Sequence, residues 1–236
     1  MNNLKIGIVC YPTQGGSGIV ATELAQSLAS IGHEIHIISY CRPFRLKYKK
    51  NKNIFFHEVT TYNYPLFEYT PYEINLTSKI VDVSVNYNLD LVHVHYAIPH
   101  ASAALSAKQI LRSLSKELPI VTTLHGTDIT LIGKDKSFKP VIEFAINNSD
   151  IVTSVSKSLK EDTLKNFKIK KNTNIFKKLL FNPQIIANGG WHFNSVRSPK
   201  DLIKKFKSFA HADHYKPVSY THLRAHETRE DLVWRV

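Results

Sequence analysis

Short apolar runs alternate with helix-like segments along the first 155 residues, and this alternation constrains the fold most. The predicted strands are residues 4–10, 35–39, 53–59, 89–95, 120–124 and 151–155. Predicted helices lie between them at residues 19–31, 74–86, 101–115 and 140–147. Strands that alternate with helices form a parallel sheet with helices on both faces, and near-continuous apolar strands are typical of such a sheet. The sequence therefore predicts an α/β fold built on a doubly wound, Rossmann-like parallel sheet.

A glycine-rich loop joins the first predicted strand to the first predicted helix. It reads Cys10-Tyr-Pro-Thr-Gln-Gly-Gly-Ser-Gly18. Unpaired backbone N–H groups at a helix N-terminus suit a phosphate or a carboxylate, and Gly15, Gly16 and Gly18 would let the backbone approach a ligand closely. A plain turn between strand and helix fits equally well. The loop lacks the motifs of a P-loop and of a dinucleotide site, which disfavours a nucleoside triphosphatase and a dehydrogenase.

Polar residues follow two further predicted strands, in His93-Val-His-Tyr-Ala-Ile-Pro-His100 and Thr122-Thr-Leu-His-Gly-Thr-Asp128. Ligands of doubly wound sheets bind beyond the carboxyl ends of the strands. This placement makes candidate cleft residues of His95, Tyr96, Thr123, His125, Gly126, Thr127, Asp128 and, after the last strand, Ser154. His93 fits a core position as well as a site position, and Asp128 could bind ligand or cap the next segment. The spacings match no common zinc pattern, so no metal site is predicted.

The charge of the chain is unevenly distributed. The net charge is +12, and residues 171–236 hold 12 of the 31 Lys and Arg residues but only 5 of the 19 Asp and Glu residues. A basic region can attract nucleic acid. No apolar run is long enough to span a bilayer, the N-terminus lacks the pattern of a signal peptide, and two cysteines are too few for a disulfide framework. We therefore expect no membrane span and a cytoplasmic protein.

The glycine loop and the two histidine-containing motifs together resemble the N-terminal domain of a family 4 retaining glycosyltransferase. Arg42-Pro-Phe-Arg45, Phe56-His-Glu-Val59 and the segment 149–156 agree with it, and the match covers residues 1 to about 170. Within the family, the motifs are most similar to transferases that glycosylate L-malate in bacillithiol biosynthesis. The resemblance implies a two-domain GT-B fold, of which this chain supplies the N-terminal half. It also implies UDP-N-acetylglucosamine as donor, L-malate as acceptor, no metal or other cofactor, and a homo-oligomer as one possible state.

The resemblance assigns roles to the candidate residues. On the donor side, backbone N–H groups of Gly15 and Gly16 would hold the diphosphate, and His125 would contact the sugar near the reacting centre as the catalytic residue. The implied acceptor contacts are Ser17, Tyr96, Thr123, Arg42 and Arg45. Ser17 would hydrogen-bond a malate carboxylate at the helix N-terminus. One of the two arginines would pair with a carboxylate, although both fit solvated loop charges equally well.

The resemblance ends near Lys170, and the expected second Rossmann-like half does not follow. A segment at 186–211 resembles the end of a family 17 N-acetylglucosaminyltransferase and predicts one amphipathic helix. Residues 217–236, which begin Pro217-Val-Ser-Tyr-Thr-His, resemble a translated sequencing adapter. We therefore expect a domain at 1–170, an unrelated fragment at 171–216 and an artefact at 217–236, which removes the support for a nucleic-acid partner. This chimeric, truncated chain itself is expected to be inactive.

Two alternatives to the malate transferase stay open at this point. The chain could belong to a family 4 glycosyltransferase with another small acceptor, because one sequence does not fix the acceptor. It could also act, as written, as an inactive anion-binding domain.

Overall fold

The computed structural model describes residues 3–13, 16–47, 51–60 and 71–170. Gly15, most of the predicted irregular loop at 60–72, the predicted fragment at 171–216 and the predicted adapter segment at 217–236 lie outside these residues. The domain boundaries placed at 170 and 216 therefore stay predictions.

Six strands form one parallel sheet. They are β1 (Lys5–Val9), β2 (Glu34–Ser39), β3 (Ile54–Glu58), β4 (Leu91–His95), β5 (Ile120–Leu124) and β6 (Ile151–Ser154). Their spatial order is β3-β2-β1-β4-β5-β6, and every neighbouring pair is parallel. This confirms the predicted Rossmann-like α/β fold. The order reverses between β1 and β4, and at such a switch point the loops on the two sides separate and leave a crevice.

Helices cover both faces of the sheet. They are α1 (Gly16–Ser30), α2 (Tyr72–Tyr87), α3 (Ser102–Ser113), α4 (Lys139–Asn148) and α5 (Lys157–Asn166). Small residues of α1 such as Ala21 and Ala25 pack on Ile8 and Ile37 in one apolar cluster, and α2, α3 and α4 pack on a second cluster. No described helix is long and apolar enough to cross a membrane.

Helices α1 and α5 differ most from the prediction. Helix α1 begins at Gly16 rather than near residue 19, so Ser17 and Gly18 belong to its first turn. Helix α5 was not predicted, although the side chain of Ser156 caps it by accepting a hydrogen bond from the Leu159 N–H at 3.1 Å. A serine in front of a helix-forming segment is a recognised start signal, and reading Ser156 as a cap would have identified α5.

Candidate functional site

Three loops meet at the carboxyl ends of β1, β4 and β5. The hydroxyl group of Tyr96, just after β4, interacts with the side chains of Ser17 and Thr127. The rings of Tyr96 and His125 lie 5.1 Å apart, centroid to centroid, and the rings of Tyr96 and Tyr11 lie 5.5 Å apart. The structure therefore brings together four residues that the sequence placed on three separate elements. We call Ser17, Tyr96, His125 and Thr127 the cleft cluster.

The N-terminus of α1 points to this cluster. The first N–H groups of a helix have no partner within the helix, and the helix dipole makes that end positive. The first turn of α1 contains no acidic residue, and Ser17 in that turn is buried with 8% of its surface exposed. Gly16, the first residue of the helix, is exposed. An anion beside Ser17 would therefore meet a positive helix end and a hydroxyl group.

Position 18 requires a glycine because the backbone of the preceding loop passes too close to leave room for a side chain. A Cβ atom at this position would lie 2.3 Å from the carbonyl oxygen of Thr13 and 2.8 Å from that of Tyr11. Both are backbone atoms, which cannot move aside as a flexible side chain can. The sequence interpretation assigned Gly18 to close approach by a ligand, whereas the structure shows that the loop's own carbonyl groups occupy that space.

The substitution Gly18→Ala is expected to destabilise the domain by about 1–3 kcal/mol, because overpacking against backbone forces the loop or the helix to shift. Urea unfolding followed by far-UV circular dichroism measures this change. Ser27→Thr, which adds one methyl group at an exposed position of the same helix, serves as the control and is expected to stay within about 0.5 kcal/mol. An unfolding midpoint for Gly18→Ala equal to that of the control would contradict the proposed packing.

Asp128 fastens two of the loops to each other. Its carboxylate accepts hydrogen bonds from the backbone N–H groups of Ala97 at 3.0 Å, Gly126 at 3.0 Å and His125 at 3.3 Å. Only 1% of the residue is exposed, and burial raises the pKa of its carboxyl group against the opposing effect of these N–H bonds. These three N–H groups belong to the loop after β4 and the turn after β5 and not to the segment that follows Asp128, so the carboxylate joins two loops, and the two roles that the sequence left open stay predictions.

Two histidines of adjacent strands form a hydrogen-bonded pair at the base of the cleft cluster. Nδ1 of His95 lies 2.8 Å from Nε2 of His125, and the rings stack with centroids 5.0 Å apart. His95 is fully buried, whereas His125 is partly exposed. Burial lowers the pKa of His125 to about 4 and lowers the pKa of His95 well below its usual range. Both rings are therefore neutral near pH 7.

Thr123 lies behind this pair rather than at the open surface. Its hydroxyl group lies 2.7 Å from Nε2 of His93 and 2.6 Å from the hydroxyl group of Thr153, and only 7% of the residue is exposed. His93 therefore supports the site from within the sheet, which was one of its two expected roles. The contact between Thr123 and the acceptor substrate stays a prediction. The hydroxyl group of Thr123 already has two hydrogen-bond partners within the protein.

Aromatic rings form a wall beside the cleft cluster. The sequence analysis did not assign these rings to the site. The ring of Tyr11 lies 4.5 Å from that of His100 and 6.4 Å from that of Tyr40, and Tyr72 lies 5.9 Å from Tyr40. Burial raises the pKa of Tyr11 to about 12. Tyr11 stands inside the glycine-loop motif and Tyr40 directly follows β2, so their position after strand ends was a signal that could have identified them.

The two candidate arginines have partners of their own. Nη1 of Arg45 lies 2.9 Å from Oε1 of Glu23, and the guanidinium group of Arg42 stacks over the ring of Phe56 at 5.2 Å. Both arginine side chains are exposed. Ser154 donates a hydrogen bond to the carbonyl oxygen of Ser156 at 2.9 Å. The contacts of these residues with substrate, like that of Gly16 with a diphosphate, stay predictions.

Two further features bear on what the site can bind. Within the described ranges, no group of three or more His, Cys, Asp or Glu side chains is arranged to hold a metal ion. A surface pocket of about 460 Å³ lies away from the cleft, beside Lys108 and Asp150. These two side chains form an ion pair at 2.6 Å, and Asp150 also accepts a hydrogen bond from the backbone of Ile120 at the start of β5. The pocket therefore lies near the amino ends of the strands.

Comparisons with known proteins agree with the fold and with the motifs. The family model described as Glycosyltransferase Family 4 matches residues 14–175. N-acetyl-alpha-D-glucosaminyl L-malate synthase of Bacillus anthracis is 54% identical over 160 residues, which are 68% of this chain and 41% of that protein. An uncharacterized glycosyltransferase of Methanocaldococcus jannaschii, MJ1178, is 28% identical over 179 residues, which are 74% of this chain and 47% of that protein.

Among solved structures, a glycosyltransferase from Rickettsia africae superposes with a TM-score of 0.54 at 24% identity, over 74% of this chain and 42% of that one. This likeness supports the fold. The chain spans less than half the length of each of these relatives.

Proposed function

Because the chain belongs to Glycosyltransferase Family 4, we propose that it forms the acceptor-side half of a retaining transferase. The complete protein would transfer N-acetylglucosamine from UDP-N-acetylglucosamine to the hydroxyl group of L-malate. The observation that carries the proposal is the 54% identity to a protein named N-acetyl-alpha-D-glucosaminyl L-malate synthase. Since the chain covers 41% of that relative, the transfer is proposed for the complete protein, and acceptor binding is proposed for this chain. The cytoplasmic location expected from the sequence is part of the same proposal.

The chemistry of the cleft cluster suits a small carboxylate that also carries a hydroxyl group. The positive end of α1 and the side chain of Ser17 would bind one carboxylate of malate, and the hydroxyl groups of Tyr96 and Thr127 offer further hydrogen bonds. The nearby carboxylate of Asp128 accepts hydrogen bonds from three backbone N–H groups. Its negative charge is therefore compensated locally, which reduces repulsion of an anionic acceptor.

On the donor side, the proposal uses the glycine loop and His125. Transfer of the sugar breaks its bond to the diphosphate, on which negative charge develops. Hydrogen-bond donors fixed in advance around such a charge stabilise the transition state, and backbone N–H groups at Gly15 and Gly16 would supply them. His125, which is partly exposed beside Tyr96, would contact the sugar. The malate hydroxyl group would then attack the anomeric carbon on the face that the diphosphate leaves, and its proton would pass to the departing diphosphate oxygen.

Calorimetric titration with L-malate tests the acceptor half of this proposal. We expect saturable binding that weakens about tenfold in Ser17→Ala, since a hydrogen bond to a charged group contributes about 1.5–3 kcal/mol. Ser27→Ala, at an exposed position of the same helix, is the control and should bind as the unmodified chain does. If Ser17→Ala left the affinity for malate unchanged, the role of Ser17 would be wrong.

Two related anions separate the proposal from its alternatives. Succinate lacks the hydroxyl group of malate and is expected to bind more weakly, because the polar groups that would bind that hydroxyl group are then left unpaired. Equal affinity for succinate would favour another acceptor. Equal affinity for sulfate would favour an unspecific anion-binding domain.

A further inference from the structure

We infer that His95 is a positioning residue: it donates a hydrogen bond to His125 and thereby holds His125 as a neutral ring whose proton sits on Nδ1. His125 then offers the cleft an N–H donor and no basic nitrogen. The tautomer follows from the geometry of the pair alone. Only the identity of the substrate oxygen that would accept this N–H rests on the proposed function.

The hydrogen bond between the two rings allows two arrangements of the protons. A neutral imidazole carries one proton, on one of its two nitrogens. The 2.8 Å contact joins Nδ1 of His95 to Nε2 of His125, so one ring donates and the other accepts. If His95 donates, its Nε2 is bare and the proton of His125 sits on Nδ1. If His125 donates, the proton of His95 must sit on Nε2.

The surroundings of His95 favour the first arrangement. Its Nε2 is buried and has no hydrogen-bond partner in the part of the chain that the structure describes. A proton there would be a buried N–H without an acceptor, and buried groups of this kind are rarer in proteins than unpaired acceptors. A bare Nε2 avoids that cost. His95 therefore donates from Nδ1.

His100 shows that this environment tolerates a bare Nε2. Nδ1 of His100 contacts the backbone carbonyl oxygen of His95, which can only accept a hydrogen bond, so Nδ1 of His100 carries the proton. Its Nε2 is consequently bare, and this atom too is buried with no partner among the described residues. The same tautomer in His95 places the same kind of atom in the same interior.

The consequence lies at His125. Its Nε2 accepts from His95, and its Nδ1 has no hydrogen-bond partner among the described residues on a side chain that is partly exposed beside Tyr96. Nδ1 of His125 carries a proton, and the lone pair of its Nε2 accepts the hydrogen bond from His95. Neither ring nitrogen is therefore free to accept a proton. His125 can therefore bind an oxygen of a substrate, which the proposed function identifies as one of the donor sugar, but it does not act as a general base.

Nitrogen-15 NMR of the histidine-labelled chain tests the inference, because one-bond and two-bond couplings distinguish protonated from bare ring nitrogens. At neutral pH the His125 ring is expected to show a protonated Nδ1 and a bare Nε2; the variant His125→Asn identifies its signals by their loss. His95→Asn keeps an amide N–H close to the position of Nδ1 and should preserve this pattern. His95→Leu removes the donor, and the Nε2–H form should then become the major one, as it is in free histidine.

A protonated Nε2 on His125 in the unmodified chain would overturn the inference without any variant. An unchanged pattern in His95→Leu, with the native circular dichroism spectrum, would overturn the role of His95. His57→Gln, which alters the histidine cluster of β2 and β3, is the control and should leave the signals of His125 in place. None of these results depends on malate binding, so failure of the inference is distinguishable from failure of the proposed function.

Discussion

Acidification from pH 7 to pH 5 is expected to destabilise the Rossmann-like domain strongly, because the described residues include six histidines with lowered pKa values. They are His36, His57, His93, His95, His100 and His125. Burial is the main cause in each case, and it lowers the pKa of four of them, His57, His93, His100 and His125, to about 4. The unfolded chain, with ordinary histidines, binds more protons in this interval, so stability falls as the pH falls.

The expected loss is large compared with the stability of a domain. A histidine whose pKa drops from about 6.5 in the unfolded chain to about 4 in the fold contributes roughly 2 kcal/mol less at pH 5 than at pH 7. The three most deeply buried of these residues, His93, His100 and His125, give roughly 5 kcal/mol, compared with about 5–15 kcal/mol for a typical folded domain. His57 adds less, because its ring is partly exposed and solvent screens it. Most of the loss should occur below about pH 6.5, where the unfolded chain takes up protons.

Urea unfolding followed by far-UV circular dichroism in steps from pH 7 to pH 5 measures this loss. Trp191 and Trp234 are the two tryptophans of the chain, and both lie outside the described residues, so tryptophan fluorescence is the poorer probe. His57→Gln keeps a donor near the position of Nε2, which contacts His36 at 2.8 Å. The urea midpoint of this variant should fall less between pH 7 and pH 5 than that of the unmodified chain. Equal urea midpoints at both pH values would contradict burial of these rings as neutral groups.

The substitution Asp128→Ala is expected to cost about 3–5 kcal/mol in the free energy of unfolding, because each buried N–H group that loses its acceptor costs about 1–3 kcal/mol. The alanine would leave the N–H groups of Ala97, Gly126 and His125 without their acceptor. These groups hold the loops after β4 and β5, on which Tyr96 and Thr127 stand. We therefore also expect weaker malate binding, measured by calorimetry at a temperature where the variant is still folded.

Two further variants separate this role of Asp128 from an effect of charge alone. Asp128→Asn retains one acceptor oxygen, and its free energy of unfolding should lie between that of the alanine variant and that of the unmodified chain. Glu161→Ala removes one negative charge from an exposed position of α5 and should change stability by less than about 0.5 kcal/mol. If Asp128→Ala unfolded at the same urea concentration as Glu161→Ala, the three hydrogen bonds would not hold the loops together as described.

The layered fold could be predicted from the sequence because its cause is local. Each strand is a short apolar run between helix-like segments, and such a run signals a buried strand before any tertiary contact is known. The predicted strands at 35–39 and 120–124 agree with β2 (Glu34–Ser39) and β5 (Ile120–Leu124) to within one residue. Helix α5 was missed because its buried residues are few, Leu159 and Thr163, so its apolar pattern is weak.

The site could be located from the sequence, but its internal contacts could not. That His95 and His125 lie near each other follows from their positions at ends of neighbouring parallel strands. Their hydrogen bond depends on the register of β4 with β5, in which His95 pairs with Thr123. No local pattern fixes that register. The wall of Tyr11, Tyr40 and Tyr72 depends in the same way on the strand order, which brings the loops after β1 and β2 together.

Gly18 shows a second kind of limit. A glycine near a helix start is compatible with a ligand, with a turn or with close approach by the chain itself. Only the close approach of the Thr13 and Tyr11 carbonyl oxygens in the folded chain distinguishes these reasons. Asp128 shows the same limit. Its position after a strand predicts a polar contact, but it does not decide whether the partner is a ligand or the backbone N–H groups that donate hydrogen bonds to its carboxylate.

Mapping by ¹H–¹⁵N NMR spectra tests whether L-malate binds at the cleft cluster, because it locates binding on the fold without requiring transfer of the sugar. We expect saturable shifts of the backbone amides at Ser17, Tyr96 and Thr127, which converge at the carboxyl ends of β1, β4 and β5. Shifts that do not saturate would contradict it. Shifts that map to the pocket beside Lys108 and Asp150, near the amino ends of the strands, would contradict it as well.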